Sequence, residues 1–319
     1  MKIKSSRSIL FISSVILVVG VVIAACNKTN TPSTVAPGTN SIKSILQNAT
    51  DATVLSSAIA RVHLDTIFNG TGPFTLFAPT NDAFTAAGLT SSVLSAMPDD
   101  TLKNLILYHT IGANLTAASL PAGPNAKIIS ANGDSVFVTS NANGIFVNGV
   151  PLLSVDILAS NGVIDAVSQV LFPPKGNILE TIQIDTSFSY LVAAIARASQ
   201  GSTRVDSLLS NGGPYTLFAP VNNGFRAAGF ATTDDINNAN ADSIANIVLY
   251  HVLPSRIFSP DMIVGQPRVT LNDSSIVFQL SGSVRQVKGN QNTSAANALA
   301  INIMAHNGVL FVIDQMLLP

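Results

Sequence analysis

The sequence predicts an α+β protein that consists of two tandem domains. Three observations support this fold class. A set of motifs occurs twice along the 319 residues, the first part of each copy has the periodicity of amphipathic helices, and the second part has the apolar patterns of strands. The chain is also long enough for two domains of ordinary size, since most domains contain about 100–150 residues.

Self-comparison of the sequence reveals the repeat. The segment Gly72–Pro79, with the sequence GPFTLFAP, recurs as GPYTLFAP at Gly213–Pro220. The tripeptide Leu-Tyr-His occurs at Leu107–His109 and again at Leu249–His251. A repeat unit of about 140 residues is too long for a solenoid and has the size of an independent domain.

The boundary between the two copies is predicted at Pro173–Gly176, because two prolines and a glycine interrupt regular structure there. Domain one is then expected at residues 41–174 and domain two at residues 175–319. Residues 26–40 precede domain one and are rich in Thr, Asn and Pro, a composition that is typical of a flexible tether.

Two amphipathic helices are predicted in the first part of each domain. Apolar residues recur there at intervals of three and four positions, the spacing that places them on one face of a helix. The second helix ends at the Tyr-His pair. The first pattern consists of Val54, Leu55, Ala58 and Ile59, with Leu191, Val192 and Ile195 in domain two; the second consists of Leu102, Leu105, Ile106 and His109, with Ile244, Ile247, Val248 and His251 in domain two.

Strands are predicted in the second part of each domain. The apolar segments 136–138 and 145–147 flank the sequence Asn-Ala-Asn-Gly, which favours a β-hairpin. Val163–Val170 and Val309–Ile313 each follow an Asn-Gly pair and have the apolar composition of buried strands. Helices early and strands late in each copy are the basis of the α+β assignment.

The composition indicates ordered domains and argues against several functions. Hydrophobic residues make up 47% of the chain and charged residues 10%, which is enough apolar material for two cores. The net charge of −1 excludes nucleic acid as a partner, because nucleic-acid binding calls for a basic surface. The sequence contains no hydrolase elbow, phosphate-binding glycine loop or His-Glu-x-x-His pair. We therefore expect a protein that is not an enzyme and uses no cofactor.

No metal site is predicted either. The four histidines are too scattered to form a ligand set by spacing alone. The pairs Asp99-Asp100 and Asp234-Asp235 suggest calcium at first sight. Each pair precedes a predicted helix, however, where carboxylates interact favourably with the helix dipole.

The N-terminal residues predict export and a lipid anchor. Three basic residues precede the apolar segment Ile9–Ala25, and no acidic residue occurs in residues 1–25, which is the layout of a secretory signal. The segment ends at Cys26, the only cysteine, and the sequence Ile-Ala-Ala-Cys resembles the lipobox of bacterial lipoproteins. The resemblance implies that residues 1–25 are removed and that Cys26 is acylated. The alternative is an uncleaved membrane anchor, since the apolar segment approaches the length of a spanning helix.

The repeated motifs resemble those of the fasciclin-like domain. The segment Thr75–Phe84 is similar to the first motif of that family, the two Tyr-His segments are similar to its Tyr-His motif, and Asn307–Asp314 is similar to its closing strand. The resemblance covers nearly all of the chain after residue 40, twice. It implies that each domain is a wedge of two β-sheets with packed helices, used in extracellular adhesion and matrix interaction.

The chain departs from the family pattern in the closing strand. Where the family often has a histidine, domain one has Asp165 and domain two has Phe311. Where the family has an aspartate, domain one has Ser168, whereas domain two keeps Asp314. A role that belongs to these positions in the family is therefore not carried over to this chain.

Two Tyr-His pairs and one aspartate are the candidate binding residues. The resemblance implies an adhesive role for Tyr108 with His109 and for Tyr250 with His251. The alternative, which we favour, is that these side chains pack at a helix end and satisfy backbone groups. Asp156, with the isoleucine that follows it, resembles an Asp-Ile element that some animal relatives present to integrins; the alternative is a local turn or cap.

The leading functional hypothesis is a non-catalytic, surface-anchored adhesion or matrix- or polymer-binding protein. Its expected partners are extracellular matrix, a surface polysaccharide or a surface protein, and the membrane itself through the N-terminal lipid. The expected location is the cell envelope, at the outer membrane or cell surface. The alternative is a hydrolase or polysaccharide-processing accessory protein of the envelope, which no spacing of residues supports. A purely structural role in the envelope is a third hypothesis.

Overall fold

The computed structural model describes residues 38–319 and contains two α+β domains, each with a seven-stranded sheet and packed helices. This confirms the predicted fold class. The predicted signal at residues 1–25, the lipidation of Cys26 and most of the tether at residues 26–40 lie outside the described residues. Among the helices that the structure describes, none has both the length and the apolar composition needed to cross a membrane.

Domain one begins with short helices and ends with antiparallel strands. Hydroxyl groups set the start of three helices, since Ser41, Thr80 and Thr90 each accept a hydrogen bond from a backbone N–H in the first turn of the helix that follows. The helices are α1 (Ile42–Asn48), α2 (Thr53–Arg61), α3 (Asp65–Phe68), α4 (Asn81–Ala86), α5 (Ser91–Ala96) and α6 (Asp99–Tyr108); the strands are β1 (Phe74–Pro79), β2 (Thr110–Ile111), β3 (Gly123–Ile129), β4 (Ser135–Asn141), β5 (Gly144–Val147), β6 (Val150–Ala159) and β7 (Gly162–Val167).

Domain two repeats this order. A capping box at Asn177 and Glu180 starts its first helix, and a second one at Thr232 and Asp235 starts a later helix. The helices are α7 (Ile178–Gln183), α8 (Ser189–Ala198), α9 (Val205–Asn211), α10 (Asn222–Ala227), α11 (Thr233–Asn238) and α12 (Ala241–Tyr250); the strands are β8 (Tyr215–Pro220), β9 (Val252–Leu253), β10 (Pro267–Val269), β11 (Ser275–Ser281), β12 (Val284–Lys288), β13 (Ala296–Ala305) and β14 (Gly308–Ile313).

The strand order of each sheet follows the same scheme. It is β2-β1-β7-β6-β5-β4-β3 in domain one and β10-β11-β12-β13-β14-β8-β9 in domain two. Strand β6 pairs with β5 at its first residues and with β7 over the rest of its length, so it connects strands β3 to β5 with β7, β1 and β2. Each domain therefore has one seven-stranded sheet, where the resemblance implies a wedge of two sheets.

One strand of each domain departs from the predicted order of helices before strands. Strand β1 lies among the early helices and pairs in parallel with β7, and β8 pairs in parallel with β14 in the same way. Two neighbouring strands that run parallel need a long connection between them. Helices and strands are therefore less separated along the chain than the sequence pattern indicates.

Each domain has two apolar regions. Helices α1, α2, α4 and α6 bury their apolar faces against the outer side of β1 and β7, with Leu55, Leu76 and Ile164 among the contributors. A second cluster, which includes Phe77, Tyr108 and Val136 in domain one, lies on the opposite face of β1, since Phe77 alternates with Leu76 along that strand. A fully buried Leu, Ile or Phe stabilises a fold by about 1.5–3 kcal/mol, so these clusters account for most of the favourable burial.

The repeated Asn-Gly pair ties the first helix of each domain to its closing strand. The Asn161 side chain accepts a hydrogen bond from Ile42 N–H (2.9 Å) and donates to the carbonyls of Phe68 (2.8 Å) and Gly70 (2.9 Å). Asn307 makes the equivalent three bonds in domain two. The glycine that follows Asn161 is required, because a Cβ on Gly162 would lie 1.9 Å from the Phe74 carbonyl oxygen. These contacts explain why both residues occur in both copies.

The two domains share a packed interface within one compact unit. Phe137 of strand β4 belongs to the inner cluster of domain two, where its ring lies 6.0 Å from the ring of Phe258. The guanidinium of Arg256 lies 4.1 Å from the centre of the same Phe137 ring. The Asn125 side chain donates to the Arg256 carbonyl (2.7 Å), and the Nε2 atom of His306 lies 3.4 Å from a carboxyl oxygen of Asp134.

Candidate functional site

The structure places the first Tyr-His pair in the interior of domain one. His109 is the C-terminal cap of α6, where its Nδ1 donates to the Leu105 carbonyl (2.8 Å) and its Nε2 accepts from the Leu171 N–H (2.9 Å). This assignment fixes the neutral tautomer with the proton on Nδ1. The Tyr108 hydroxyl donates to the Ser135 carbonyl (3.0 Å) and accepts from the Asn148 amide (2.9 Å).

The second pair has the same geometry in domain two. His251 Nδ1 donates to the Ile247 carbonyl and Nε2 accepts from the Leu317 N–H, both at 2.8 Å. The Tyr250 hydroxyl donates to the Ser275 carbonyl (2.6 Å) and accepts from the Asn290 N–H (2.8 Å). Each tyrosine thus joins the end of its long helix to a strand. Each histidine joins the same helix end to the segment that follows the last strand of its domain.

Burial determines the protonation of these side chains. All four are buried. Burial lowers the pKa of His109 and of His251 to about 4, although the bond of each ring to a carbonyl opposes the shift. Burial also raises the pKa of the Tyr108 and Tyr250 hydroxyls above the ordinary range. The pairs are therefore neutral near pH 7 with their hydrogen-bonding groups occupied, which favours the packing alternative over direct contact with a partner.

Asp156 lies at an irregularity of strand β6. The register of β6 against β7 shifts between Ser154 and Ile157, and Asp156 has a φ of 60°, in the left-handed region that Asp and Asn tolerate better than most residues. Its carboxylate accepts a hydrogen bond from the Ala117 N–H (2.8 Å). The side chain therefore caps a neighbouring loop, as the turn alternative predicts.

A second carboxyl group, Asp165, lies beneath this bulge and was not singled out as a candidate by the sequence. Its Oδ1 accepts from the Asp156 N–H (2.9 Å), while its Oδ2 is buried and accepts no hydrogen bond from the described residues. Burial raises the pKa of Asp165 to about 6, and the negative charge of Asp156 adds to the shift. The only sequence signal was the departure from the family histidine at this position.

Strand β6 also exposes three apolar side chains close to Asp156. Leu153, Val155 and Ile157 are 60%, 40% and 39% exposed, and a single residue separates each of them from the next along the strand. Single exposed apolar residues are ordinary on protein surfaces, but neighbouring ones on one strand often mark a contact surface. We call this set, with Asp156, the β6 surface.

The equivalent strand of domain two is partly covered by domain one. Asn302 has a φ of 59° and accepts from the Ser259 N–H (2.9 Å), which matches the geometry of Asp156. Its amide also donates to the Gly149 carbonyl of domain one (3.4 Å). Leu299 of the same strand remains 60% exposed beside a cleft of about 720 Å³ at the domain junction. The two copies of this strand are therefore presented unequally, with domain one offering the more open surface.

The fasciclin domain model matches residues 50–173 and 187–319. The chain belongs to the fasciclin domain family. Within residues 38–319, no three His, Cys, Asp or Glu side chains lie close enough together to hold a metal ion.

Fasciclin relatives occur in animals and in cyanobacteria. The chain is 29% identical over 254 residues to the transforming growth factor-beta-induced protein ig-h3 of Sus scrofa, a match that covers 78% of this chain and 35% of that protein. It is 30% identical over 175 residues to protein sll1483 of Synechocystis, which covers 54% of this chain and 91% of that protein. The chain thus spans about a third of the length of ig-h3.

A solved structure of a fasciclin domain pair is also similar. It comes from the insect cell adhesion molecule fasciclin I and shares 18% sequence identity with a TM-score of 0.41, covering 84% of this chain and 96% of that one.

Proposed function

We propose that this chain is a non-catalytic adhesion protein of the cell envelope, whose β6 surface binds extracellular matrix, a surface polysaccharide or a surface protein. The observation that carries the proposal is the exposure of Leu153, Val155 and Ile157 around Asp156, while the corresponding strand of domain two is partly covered by domain one. Membership of the fasciclin family supports it, because the resemblance implies adhesion and matrix interaction.

The β6 surface has the chemistry of a modest contact site. Its apolar side chains lose contact with water when a partner covers them, and each Å² of apolar area contributes roughly 25 cal/mol. Asp156 adds one carboxylate in a fixed position, since its backbone is held from beneath by Asp165 and its side chain by the Ala117 N–H. A rigid contact residue orders less on binding and so costs less entropy.

The contact is tested by binding of the chain to a glycan array and to immobilised collagen and fibronectin. The double variant Leu153→Ser with Ile157→Ser is expected to weaken binding by roughly tenfold, which corresponds to about 1.4 kcal/mol. The matched control is Ile129→Ser, because this apolar residue is 52% exposed on strand β3, away from the β6 surface. Equal binding by the parent and the double variant would exclude β6 as the contact surface.

The envelope location rests on the N-terminal sequence. In the proposal, residues 1–25 are removed, Cys26 carries the lipid, and the lipid attaches the chain to the outer membrane or the cell surface. Mass spectrometry of the mature protein is expected to find an acylated cysteine as its first residue. Recovery of an unmodified Cys26 behind an intact signal would refute this part of the proposal.

The hydrolase alternative receives no support from the histidines at the helix ends. His109 and His251 are held by backbone groups at both ring nitrogens and are shielded from solvent, so neither is placed to act as a base. An activity screen on envelope polysaccharides, run beside the glycan array, tests this alternative directly.

A further inference from the structure

The carboxyl group of Asp165 lies in an apolar environment beneath the bulge of β6. The residue is fully buried. Its neighbour Ile164 belongs to the first apolar cluster of domain one and Val167 belongs to the second, so Asp165 shares the face of the second cluster. The residue at the same register in domain two is Phe311, a member of the corresponding cluster. An acidic side chain therefore occupies the place of an aromatic ring.

Domain two shows that the bulge does not require this carboxyl group. Asn302 occupies the position of Asp156 relative to the repeated Asn-Gly pair, and its φ of 59° matches the 60° of Asp156. The register of β13 shifts at the same point as that of β6. Phe311 offers no hydrogen-bond acceptor to this bulge, which forms nevertheless. Burial of an ionisable group costs free energy, so Asp165 serves something other than the formation of the bulge.

The strands around Asp165 carry almost no charge. Strands β1, β2, β4 and β5 contain no charged residue, and neither does the segment 112–121. Strand β6 contains only Asp156, whose N–H donates to Asp165 Oδ1 (2.9 Å). The Oδ2 atom of Asp165 is buried and accepts no hydrogen bond from the described residues. Burial, with a smaller contribution from the charge of Asp156, therefore raises the pKa of Asp165 to about 6.

The remaining charged and titratable groups nearby do not offset this effect. Lys127 of β3 pairs with Phe137 and Arg256 of domain two lies over the Phe137 ring, so both lie at the domain interface. Tyr108 and His109 are neutral near pH 7, because burial raises the pKa of the hydroxyl and lowers the pKa of the ring to about 4. The charged residues of α6, which are Asp99, Asp100 and Lys103, are exposed. None of these groups is a basic partner for the buried carboxyl group.

The part of β6 that covers Asp165 is weakly paired. Between Leu152 and Ile157, only Ser154 has a ladder partner on β7. Pairing with β5 ends at Pro151. Strand segments with exposed side chains and few ladder bonds open at a lower free energy than the regular parts of a sheet. This segment can therefore move while the rest of the sheet stays folded.

We propose that protonation of Asp165 regulates the β6 surface. When Asp165 is neutral, the bulge closes over it and holds Asp156 and the apolar side chains of the β6 surface in place. When Asp165 is ionised, the bulge opens, because water then solvates the carboxylate. The inference rests on the proposed function, since the same surface makes the contact with a partner.

The direction of the effect follows from the two environments of the carboxyl group. In the closed bulge its pKa is about 6, whereas in an open bulge the pKa returns towards its ordinary value of 3.8. The closed form is therefore favoured most below about pH 4, and this advantage is lost as the pH rises to 6. The difference between the two pKa values corresponds to a roughly hundredfold change in the equilibrium between the closed and open forms. The β6 surface should accordingly bind more tightly in mild acid than at neutral pH.

Nuclear magnetic resonance of residues 27–319, which lack the apolar signal and keep both domains, tests the switch without a partner. The Asp156 amide reports the ionisation of Asp165, because it donates to Oδ1. Its resonance is expected to titrate with a midpoint near pH 6. Amide exchange between Leu153 and Ile157, corrected for the intrinsic rate, is expected to rise roughly tenfold from pH 5 to pH 7. Asp165→Asn is neutral at every pH and is expected to abolish both changes.

Binding to immobilised collagen and fibronectin at pH 5 and pH 7 tests the consequence for the β6 surface. The parent is expected to bind up to roughly tenfold more weakly at pH 7, whereas Asp165→Asn is expected to bind equally at both pH values. The matched control is Asp51→Asn, because Asp51 is exposed and lies outside the β6 surface. This control should keep the pH dependence of the parent. Thermal melts at both pH values establish that each variant is folded.

The inference is overturned if the Asp156 amide does not titrate near pH 6 or if Asp165→Asn keeps the pH dependence of amide exchange. Equal binding by the parent at pH 5 and pH 7 would also overturn it. Absence of binding to either immobilised protein at both pH values would instead count against the proposed function, and the amide measurements would still decide whether Asp165 controls the bulge.

Discussion

At the scale of single residues, the buried polar groups explain why the repeated motifs contain the residues they do. A neutral histidine has one donor and one acceptor nitrogen, and His109 uses both to connect the end of α6 with the segment after β7. The sequence placed this side chain on the apolar face of a helix and so favoured burial. It did not indicate the Leu171 N–H as the second partner, because that contact joins residues 62 positions apart.

We predict that His109→Ala and His251→Ala each lower the free energy of unfolding by roughly 1–3 kcal/mol, because each removes a packed ring and leaves a buried N–H and a buried carbonyl without a partner. Thermal and chemical denaturation of the two variants measure the effect. Any loss of adhesion should then follow the loss of folded protein. Melting curves that overlay the parent curve would instead identify the Tyr-His segments as direct contact sites.

Asp165 and the two histidines give the stability opposite dependences on pH. The pKa of Asp165 rises from 3.8 to about 6 on folding, so its favourable contribution exists below about pH 4 and is lost as the pH rises through 6. The pKa of each histidine falls from 6.5 to about 4, so its contribution exists above pH 6.5 and is lost as the pH falls through 4. Asp165 therefore opposes the acid destabilisation that the histidines cause.

We predict that Asp165→Asn raises the free energy of unfolding at pH 7 by roughly 1–3 kcal/mol. Between pH 7 and pH 4, the free energy of unfolding of the variant is expected to fall by a similar amount more than that of the parent. The variant removes a buried charge while its amide oxygen can still accept from the Asp156 N–H. Denaturation at several pH values measures both effects. The control is Asp51→Asn, because Asp51 is an exposed aspartate. An unchanged pH profile would show that Asp165 has no raised pKa in the folded protein.

At the scale of elements, the sequence predicted those whose pattern is regular. Helices α2, α6, α8 and α12 cover the apolar periodicities, and β4 with β5 forms the predicted hairpin. Strand β6 gave no such signal, since its register shifts and its left-handed residue break the alternation of side chains. The apolar segment after Asn161-Gly162 continues to Val170, but β7 ends at Val167, and Val170 is buried in the core outside any strand.

The bulge of β6 provides the prediction at this scale. Asp156→Asn introduces the residue that domain two has at the same bulge and is expected to change stability by less than about 0.5 kcal/mol, since Asn accepts the Ala117 N–H and tolerates a φ of 60°. Asp156→Val is expected to destabilise domain one by roughly 1–3 kcal/mol, because a β-branched residue is strained there and cannot cap the loop. Urea denaturation distinguishes the two variants. Equal stability of both would mean that the bulge is not constrained by this residue.

At the scale of the whole molecule, the domain interface is formed by residues in which the two copies differ. Thr75 and Thr216 make the same pair of loop hydrogen bonds, which aligns Asn114 and Thr116 of domain one with Arg256 and Phe258 of domain two. Only the domain-two residues of this alignment contact the neighbouring domain. Self-comparison of the sequence identifies what the copies share, and for this reason it predicted the two domains but not the surface that joins them.

We predict that residues 177–319 still fold alone, because this segment contains both of its apolar clusters and the complete set of repeated contacts at Asn307 and His251. Phe137 is its one missing cluster member, and Phe258 would become exposed. The isolated domain should therefore unfold cooperatively at a lower temperature than in the full chain. Within the full chain, Phe137→Ser should reproduce most of that loss by weakening the interface from the side of domain one. A molten, protease-sensitive product from residues 177–319 would contradict the prediction and make the domain pair the smallest folding unit.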